Sequence, residues 1–165
     1  MLGGMPDDAS FYLSGLDLRG RAVLVAGAGR VATRRLPALL EAGAVVTVVA
    51  PQASELVREL AATGRLAWLP REVRSEDVVG AWYVMAATDS ARANALVGEA
   101  AERQQTFCVR CDRAAAGSAR TPTRLAVDGF TVGVLGTGDP LATRALRDRI
   151  AAAITVPAAG SGQQG

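Results

Sequence analysis

VLVAGAGRVATRR, residues 23–35, is the stretch on which the fold turns. An apolar run ends in Gly27-Ala28-Gly29, and helix formers begin at once after it. A strand passing into a helix through two glycines, with a small residue three positions beyond the second, has the G-x-G-x-x-G/A spacing of a dinucleotide-binding turn. Gly27 would permit the tight turn, Gly29 would let the backbone approach a pyrophosphate, and Ala32 would let the helix pack close to the strand. The helix N-terminus would then offer N–H donors to the phosphates. The same small residues would also suit a plain strand-to-helix corner, so the surrounding pattern has to decide.

Outward from this turn, strand-length apolar runs alternate with helical periodicity. Residues 21–26, 45–50, 66–69, 82–87 and 106–111 read as strands, and residues 31–42, 53–62 and 91–103 as helices. Strands apolar on both faces, separated by helices, predict an α/β fold, a Rossmann-like doubly wound parallel sheet. The periodicity stops over 113–118. Two further runs, 124–127 and 130–135, then flank Asp128-Gly129, a strong hairpin signal. Asp139 as N-cap and Pro140 at the first helical position open a last helix to about Ile154. The expected organisation is a Rossmann domain over 1–113, a small α+β dimerisation segment over 114–155, and a disordered, linker-like tail over 156–165.

Composition removes several function classes. The chain of 165 residues contains no histidine, which excludes Ser-His triads and imidazole bases and leaves acid/base work to carboxylates. Every basic residue is arginine, so neither a Walker lysine nor a Schiff-base lysine is available. A net charge of +2 with 4% aromatic residues gives no nucleic-acid-binding stripe. No apolar run approaches the roughly 18 residues of a membrane span, and MLGGMPDDASFYL lacks the basic start of a secretory signal. A cytoplasmic protein is expected, with no nucleic-acid or membrane partner. Cys108 and Cys111 spell C-x-x-C, but residues three apart on a strand point to opposite faces, so both are expected to be buried structural cysteines.

One part of the dinucleotide fingerprint is absent. The acidic residue that would hold the adenine ribose belongs about 20 residues on, at the end of the second strand. The sequence there is Val49-Ala50-Pro51-Gln52. Gln52 can hydrogen-bond ribose hydroxyls, and no arginine directly follows the strand to favour a 2′-phosphate. NAD is therefore expected over NADP.

Three motifs together, LVAGAGRVATRRLPALLEAGAVVTVVAP (24–51), AATD (86–89) and FCVRCD (107–112), resemble the N-terminal module of siroheme synthase, the precorrin-2 dehydrogenase and sirohydrochlorin ferrochelatase family. The resemblance covers roughly residues 10 to 150. It implies a Rossmann NAD domain followed by a segment that forms a homodimer. It also implies NAD-dependent oxidation of precorrin-2 to sirohydrochlorin, followed by insertion of ferrous iron into that tetrapyrrole. By the same resemblance Gly27, Gly29, Arg30 and Val31 match the phosphate-binding turn, with Ala32 completing it. Ala50, Pro51 and Gln52 match the adenosine edge, Ala87 and Thr88 the loop after the fourth strand, and Asp112 the catalytic aspartate. The residues alone agree on Asp112, which follows a parallel strand at the carboxyl edge where ligands of such sheets bind. The alternative is that Asp112 serves as a helix or turn cap for the segment after it. No set of metal-ligating residues stands out.

The chain departs from the family at several points. Val109 stands where relatives carry an asparagine, with Arg110 and Cys111 after it, Asp139-Pro140 replaces Ser-Pro, and GSARTPTR (117–124) replaces a phenylalanine-containing segment. Two other function classes compete with the enzyme: a module that binds NAD and regulates a partner, and a dimerisation module fused to a methyltransferase domain.

Overall fold

The structure, a computed structural model, describes residues 11–136 and 139–155. The expected tail over 156–165 and the first ten residues lie outside that range. The described chain divides into two compact units, one over 15–120 and one made of 11–14 with the residues from Thr121 onward.

The first unit holds five strands, β1 (Ala22–Ala26), β2 (Val45–Val49), β3 (Ala67–Leu69), β4 (Tyr83–Ala86) and β5 (Phe107–Arg110). Helices α1 (Arg30–Glu41), α2 (Glu55–Ala62) and α3 (Ala91–Arg103) connect them. All pairings are parallel in the order β3-β2-β1-β4-β5, so the order reverses between β1 and β4. Alternate side chains serve opposite cores. Val23, Val25, Val46, Val48 and Met85 pack with Leu36, Leu39 and Val57 on one face, and Leu24, Ala26, Val84 and Ala86 pack with Val97, Ala100 and Ala101 on the other. Burial on both faces explains why the strands are continuously apolar. The doubly wound reading of the sequence is thereby reproduced, with element ends within two residues of those expected.

Two 3₁₀ turns, Ser75–Val78 and Ala114–Ala116, were not legible as elements. The first rests on Asp77, whose carboxylate takes two hydrogen bonds from Arg71 at 2.8 and 2.6 Å and one from the Arg74 N–H at 2.8 Å. The second turn leads the chain back to β5. Ser118 Oγ accepts from the Cys108 N–H at 3.0 Å, and the Ala119 N–H donates to the Cys108 carbonyl at 3.1 Å. These bonds lie within the first compact unit, which runs to Arg120.

The second unit contains β6 (Thr123–Val127) and β7 (Phe130–Val134), an antiparallel pair, and α4 (Pro140–Thr155). Asp128 (φ 48°) and Gly129 (φ 79°) both take the left-handed conformation that a two-residue hairpin turn demands. Asp139 caps α4, accepting from the Leu141 N–H at 2.7 Å. Among the described residues no helix is long and apolar enough to cross a membrane.

Candidate functional site

A cleft of about 990 Å³ opens at the carboxyl ends of β1 and β4, where the strand order reverses. That is where open α/β sheets bind ligands. Gly27 forms its floor in a conformation with φ +100°, and a Cβ there would lie 2.7 Å from the Ala87 carbonyl carbon and 2.9 Å from the Thr88 nitrogen. The glycine thus serves the turn and, beyond the sequence expectation, lets the loop after β4 press against the loop after β1. Gly29 differs. A Cβ there would meet nothing within 4 Å, so its open side is cleft space.

Gly29 is also the N-cap of α1, without a side-chain capping bond and with no acidic residue in the first turn. The leading N–H groups and the positive end of the helix dipole consequently remain available to an anion. A dinucleotide pyrophosphate fits this cradle. Ala32, fully buried beneath the turn, lets α1 approach the sheet.

The cleft lining brings together Gly27, Gly29, Arg30, Ala50, Pro51, Gln52, Ala87 and Thr88 of the expected cofactor residues. Val31 and Ala32 are outside it, on the body of α1. Thr33, Arg34, Ser54 and Glu72 join the lining without having been anticipated. The Thr33 and Ser54 hydroxyls share a hydrogen bond of 3.0 Å that ties α1 to the N-cap of α2. At the adenosine edge Trp68 Nε1 donates to the Ala50 carbonyl at 3.0 Å, which fixes the backbone after β2.

Asp112 stands two residues past β5, outside the cleft lining. Its carboxylate receives Nε of Arg110 at 2.9 Å and Nη2 at 2.7 Å, a two-point pair in which the Arg110 side chain is 9% exposed and that of Asp112 26%. The Arg110 guanidinium holds the Asp112 carboxyl below the usual carboxylate range, and Asn94 hydrogen-bonds it as well. Asn94 is completely buried on α3. It accepts from the Thr88 N–H at 3.0 Å and the Thr88 hydroxyl at 2.8 Å, and donates to the Thr88 carbonyl at 2.9 Å. One amide side chain thereby links the cleft loop to the carboxylate. Sequence reading passed over Asn94 and gave Arg110 no role; the usable signal was a polar residue in register with the buried stripe Val97, Ala100 and Ala101 of α3.

The cysteines behave differently from each other. Cys108 is buried in β5, and burial pushes its thiol up to about 11. Cys111 is exposed, contrary to expectation, because β5 ends at Arg110 and the sheet no longer covers the chain there. Both thiols are free. Among the described residues no three His, Cys, Asp or Glu side chains gather to hold a metal ion.

Comparison with known proteins adds an independent line. A family model described as "Putative NAD(P)-binding" matches residues 15–123. Siroheme synthase 3 of Aeromonas hydrophila is 36% identical over 136 residues, covering 82% of this chain and 29% of that protein. Precorrin-2 dehydrogenase of Priestia megaterium is 38% identical over 94 residues, 57% of this chain and 46% of that one. The solved structure of SirC, a precorrin-2 dehydrogenase, superposes with a TM-score of 0.78 at 27% identity, covering 87% of this chain and 71% of that chain. The chain therefore spans under a third of the length of the siroheme synthase and under half of that dehydrogenase.

Proposed function

The chain belongs to the NAD(P)-binding family whose model it matches over residues 15–123, and from that premise we propose that it is a precorrin-2 dehydrogenase, oxidising precorrin-2 to sirohydrochlorin in siroheme biosynthesis. The observation that carries this reading is the juxtaposition of two features. A glycine-floored cleft with an uncapped helix N-terminus is joined through Asn94 to an ionised carboxylate, Asp112, at the same edge of the sheet.

A bound nicotinamide cofactor would supply an acceptor for a hydride, taking two electrons from the substrate. The residues of this chain do the rest. The α1 N-terminus and the backbone at Gly29 bind the pyrophosphate, and Ala50, Pro51 and Gln52 border the adenosine. Ala87 and Thr88 form the wall on the β4 side. Asp112 accepts the proton that the substrate loses with its hydride, and passes it to solvent. We favour NAD over NADP: Gln52 can hydrogen-bond ribose hydroxyls, and Glu72, also in the lining, opposes a further phosphate.

Ferrous iron belongs to the same reading as a second substrate, since a carboxylate at this position can also receive the pyrrole protons displaced when a metal enters the ring. We further place the protein in the cytoplasm, in keeping with its two free thiols, and assign the segment after Thr121 to homodimerisation. A two-stranded sheet with one helix has little core of its own, and Phe130, Leu141, Leu146 and Ile154 are exposed there. Anaerobic incubation of the chain with precorrin-2 and NAD, followed by NADH absorbance, tests the dehydrogenase reading. Binding of NAD without turnover would favour a regulatory module instead. Sedimentation as a monomer at micromolar concentration would remove the dimer.

A further inference from the structure

Arg110 occupies a seat that two glycines make. In the middle of α3, a Cβ on Gly98 would come within 3.3 Å of Arg110 Cδ. Behind the strand, a Cβ on Gly117 would lie 2.9 Å from the Arg110 nitrogen and 3.4 Å from its Cβ. Glycine within a helix is destabilising relative to alanine, so Gly98 is poorly suited to α3 except as room for this side chain. The arginine is 8% exposed and aims both arms of its fork at one carboxylate. Such two-point pairing fixes orientation as well as charge.

We propose that Arg110 is the positioning residue for Asp112, holding its carboxylate in one orientation and in the proton-accepting form, so that Asp112 takes a proton from the substrate and does not give one. The proposal rests on the dehydrogenase reading and specifies the direction of its proton step. A bound nicotinamide cofactor would take the hydride with its two electrons, which would leave the substrate cationic and acidic. Its proton then moves to Asp112 and on to solvent. A carboxylate stabilised by an arginine is a weak base, which suffices for a proton made acidic by hydride loss.

Several other groups stand near this pair. On β5 and just beyond it are Cys108 and Cys111, both near enough to sense the charge of Asp112. From α3, Asn94 bonds the carboxylate and Glu99 acts on Arg110. From α1, Arg34 and Arg35 act on Cys111. The hydrogen bonds from Arg110 lower the Asp112 carboxyl, against burial, which acts in the opposite direction.

The test uses the full chain with ¹³C-labelled aspartate carboxyls, the Asp112 signal being assigned by its loss in Asp112→Asn. Carboxyl titrations are compared between the wild type and Arg110→Met, which keeps an apolar stem beside Gly98. The pH dependence of kcat/KM for precorrin-2 oxidation is measured in parallel. The expected result is an upward move of the Asp112 titration in the variant, with the acid limb of kcat/KM following it. The rate should fall by about 10- to 100-fold, as for a mispositioned group, while KM for NAD stays constant. Arg110→Lys, which restores charge without the fork, should recover the titration more fully than the rate. If Arg110→Met does not fold, Gly98→Ala, which crowds the arginine stem in a helix made more favourable, tests the same seat. Identical Asp112 titration in wild type and variant overturns the proposal. A chain that binds NAD but never oxidises precorrin-2 overturns the dehydrogenase reading, and the titration still decides whether Arg110 governs Asp112.

Discussion

Gly29→Asp should stabilise the empty protein and abolish its cofactor binding, two effects of opposite sign from one substitution. The position has the extended backbone of an N-cap (φ −76°, ψ −174°), makes no side-chain capping bond, and has free space around the missing Cβ. Aspartate is among the best N-cap residues, and its charge lies favourably at the positive end of the helix dipole. The expected gain is about 0.5–1 kcal/mol. The same space is where a pyrophosphate would lie. Two unit charges about 4 Å apart repel by about 1 kcal/mol in bulk water and about 4 kcal/mol at an effective dielectric of about 20. That range corresponds to a loss of affinity of about 5- to 1000-fold for one phosphate charge, before the steric conflict is added. Urea unfolding should therefore give crossing results. Without ligand the variant has the higher midpoint. With NAD at about 100 times the wild-type Kd, the wild type gains about 2.7 kcal/mol, while the variant gains about 1.8 kcal/mol for a roughly 5-fold loss of affinity and almost none for a loss of about 1000-fold. Unchanged NAD affinity in a fluorescence titration of the variant would refute the placement of the pyrophosphate at α1. A lower midpoint without ligand would refute the account of Gly29 as an open cap.

Gly27→Ala should destabilise the fold by about 2–4 kcal/mol in the same urea assay, because it combines a positive φ with a Cβ driven into the backbone at Ala87 and Thr88. A loss under about 1 kcal/mol would mean that the two loops separate easily. Asp112→Asn should lower precorrin-2 oxidation by about 100- to 10,000-fold while leaving NAD affinity unchanged. Because it leaves Arg110 facing a neutral amide, it should also cost about 1–2 kcal/mol of stability, a buried-pair penalty reduced for the partial exposure of Asp112. Normal turnover would make Asp112 structural. Asp77 and Asp112 both titrate below the ordinary carboxylate range in the fold, so the stability they contribute is present above the unfolded value of about 4 and is lost as pH falls through their folded values. With no histidine in the chain, stability should be flat from about pH 5 to 7. A stability slope in that interval would point instead to a carboxyl raised by burial.

The parallel sheet was legible because its signals are local. Each strand is a short apolar run buried on both faces, and Asp128-Gly129 writes the hairpin turn into two adjacent residues. The glycine turn was legible for the same reason, since spacing alone places it between β1 and α1. What could not be read arises from distant parts of the chain meeting. Asn94 looks like an ordinary helix residue until α3 folds beside Thr88 and Asp112. Arg110 looks like a solvated arginine until Gly98, twelve positions earlier, is seen to make its seat. Ser118 and Ala119 look like loop until they bond to Cys108. Pairing across such separations leaves no period of its own in the sequence; of these residues only Asn94 carried a local sign, as a polar residue in register with the buried stripe of α3.

The three bonds between Asn94 and Thr88 bear on the thermodynamics of cofactor capture. A loop at the mouth of a cleft commonly tightens only when its ligand arrives, and part of the ligand's interaction is then spent on restraining it. Here the wall after β4 is already fastened to a fully buried amide, so its disorder is given up when the chain folds. Capture of the dinucleotide should proceed as docking onto a preformed rim. Its heat-capacity change should reflect surface burial alone, and the Thr88 amide should resist hydrogen exchange equally with and without ligand.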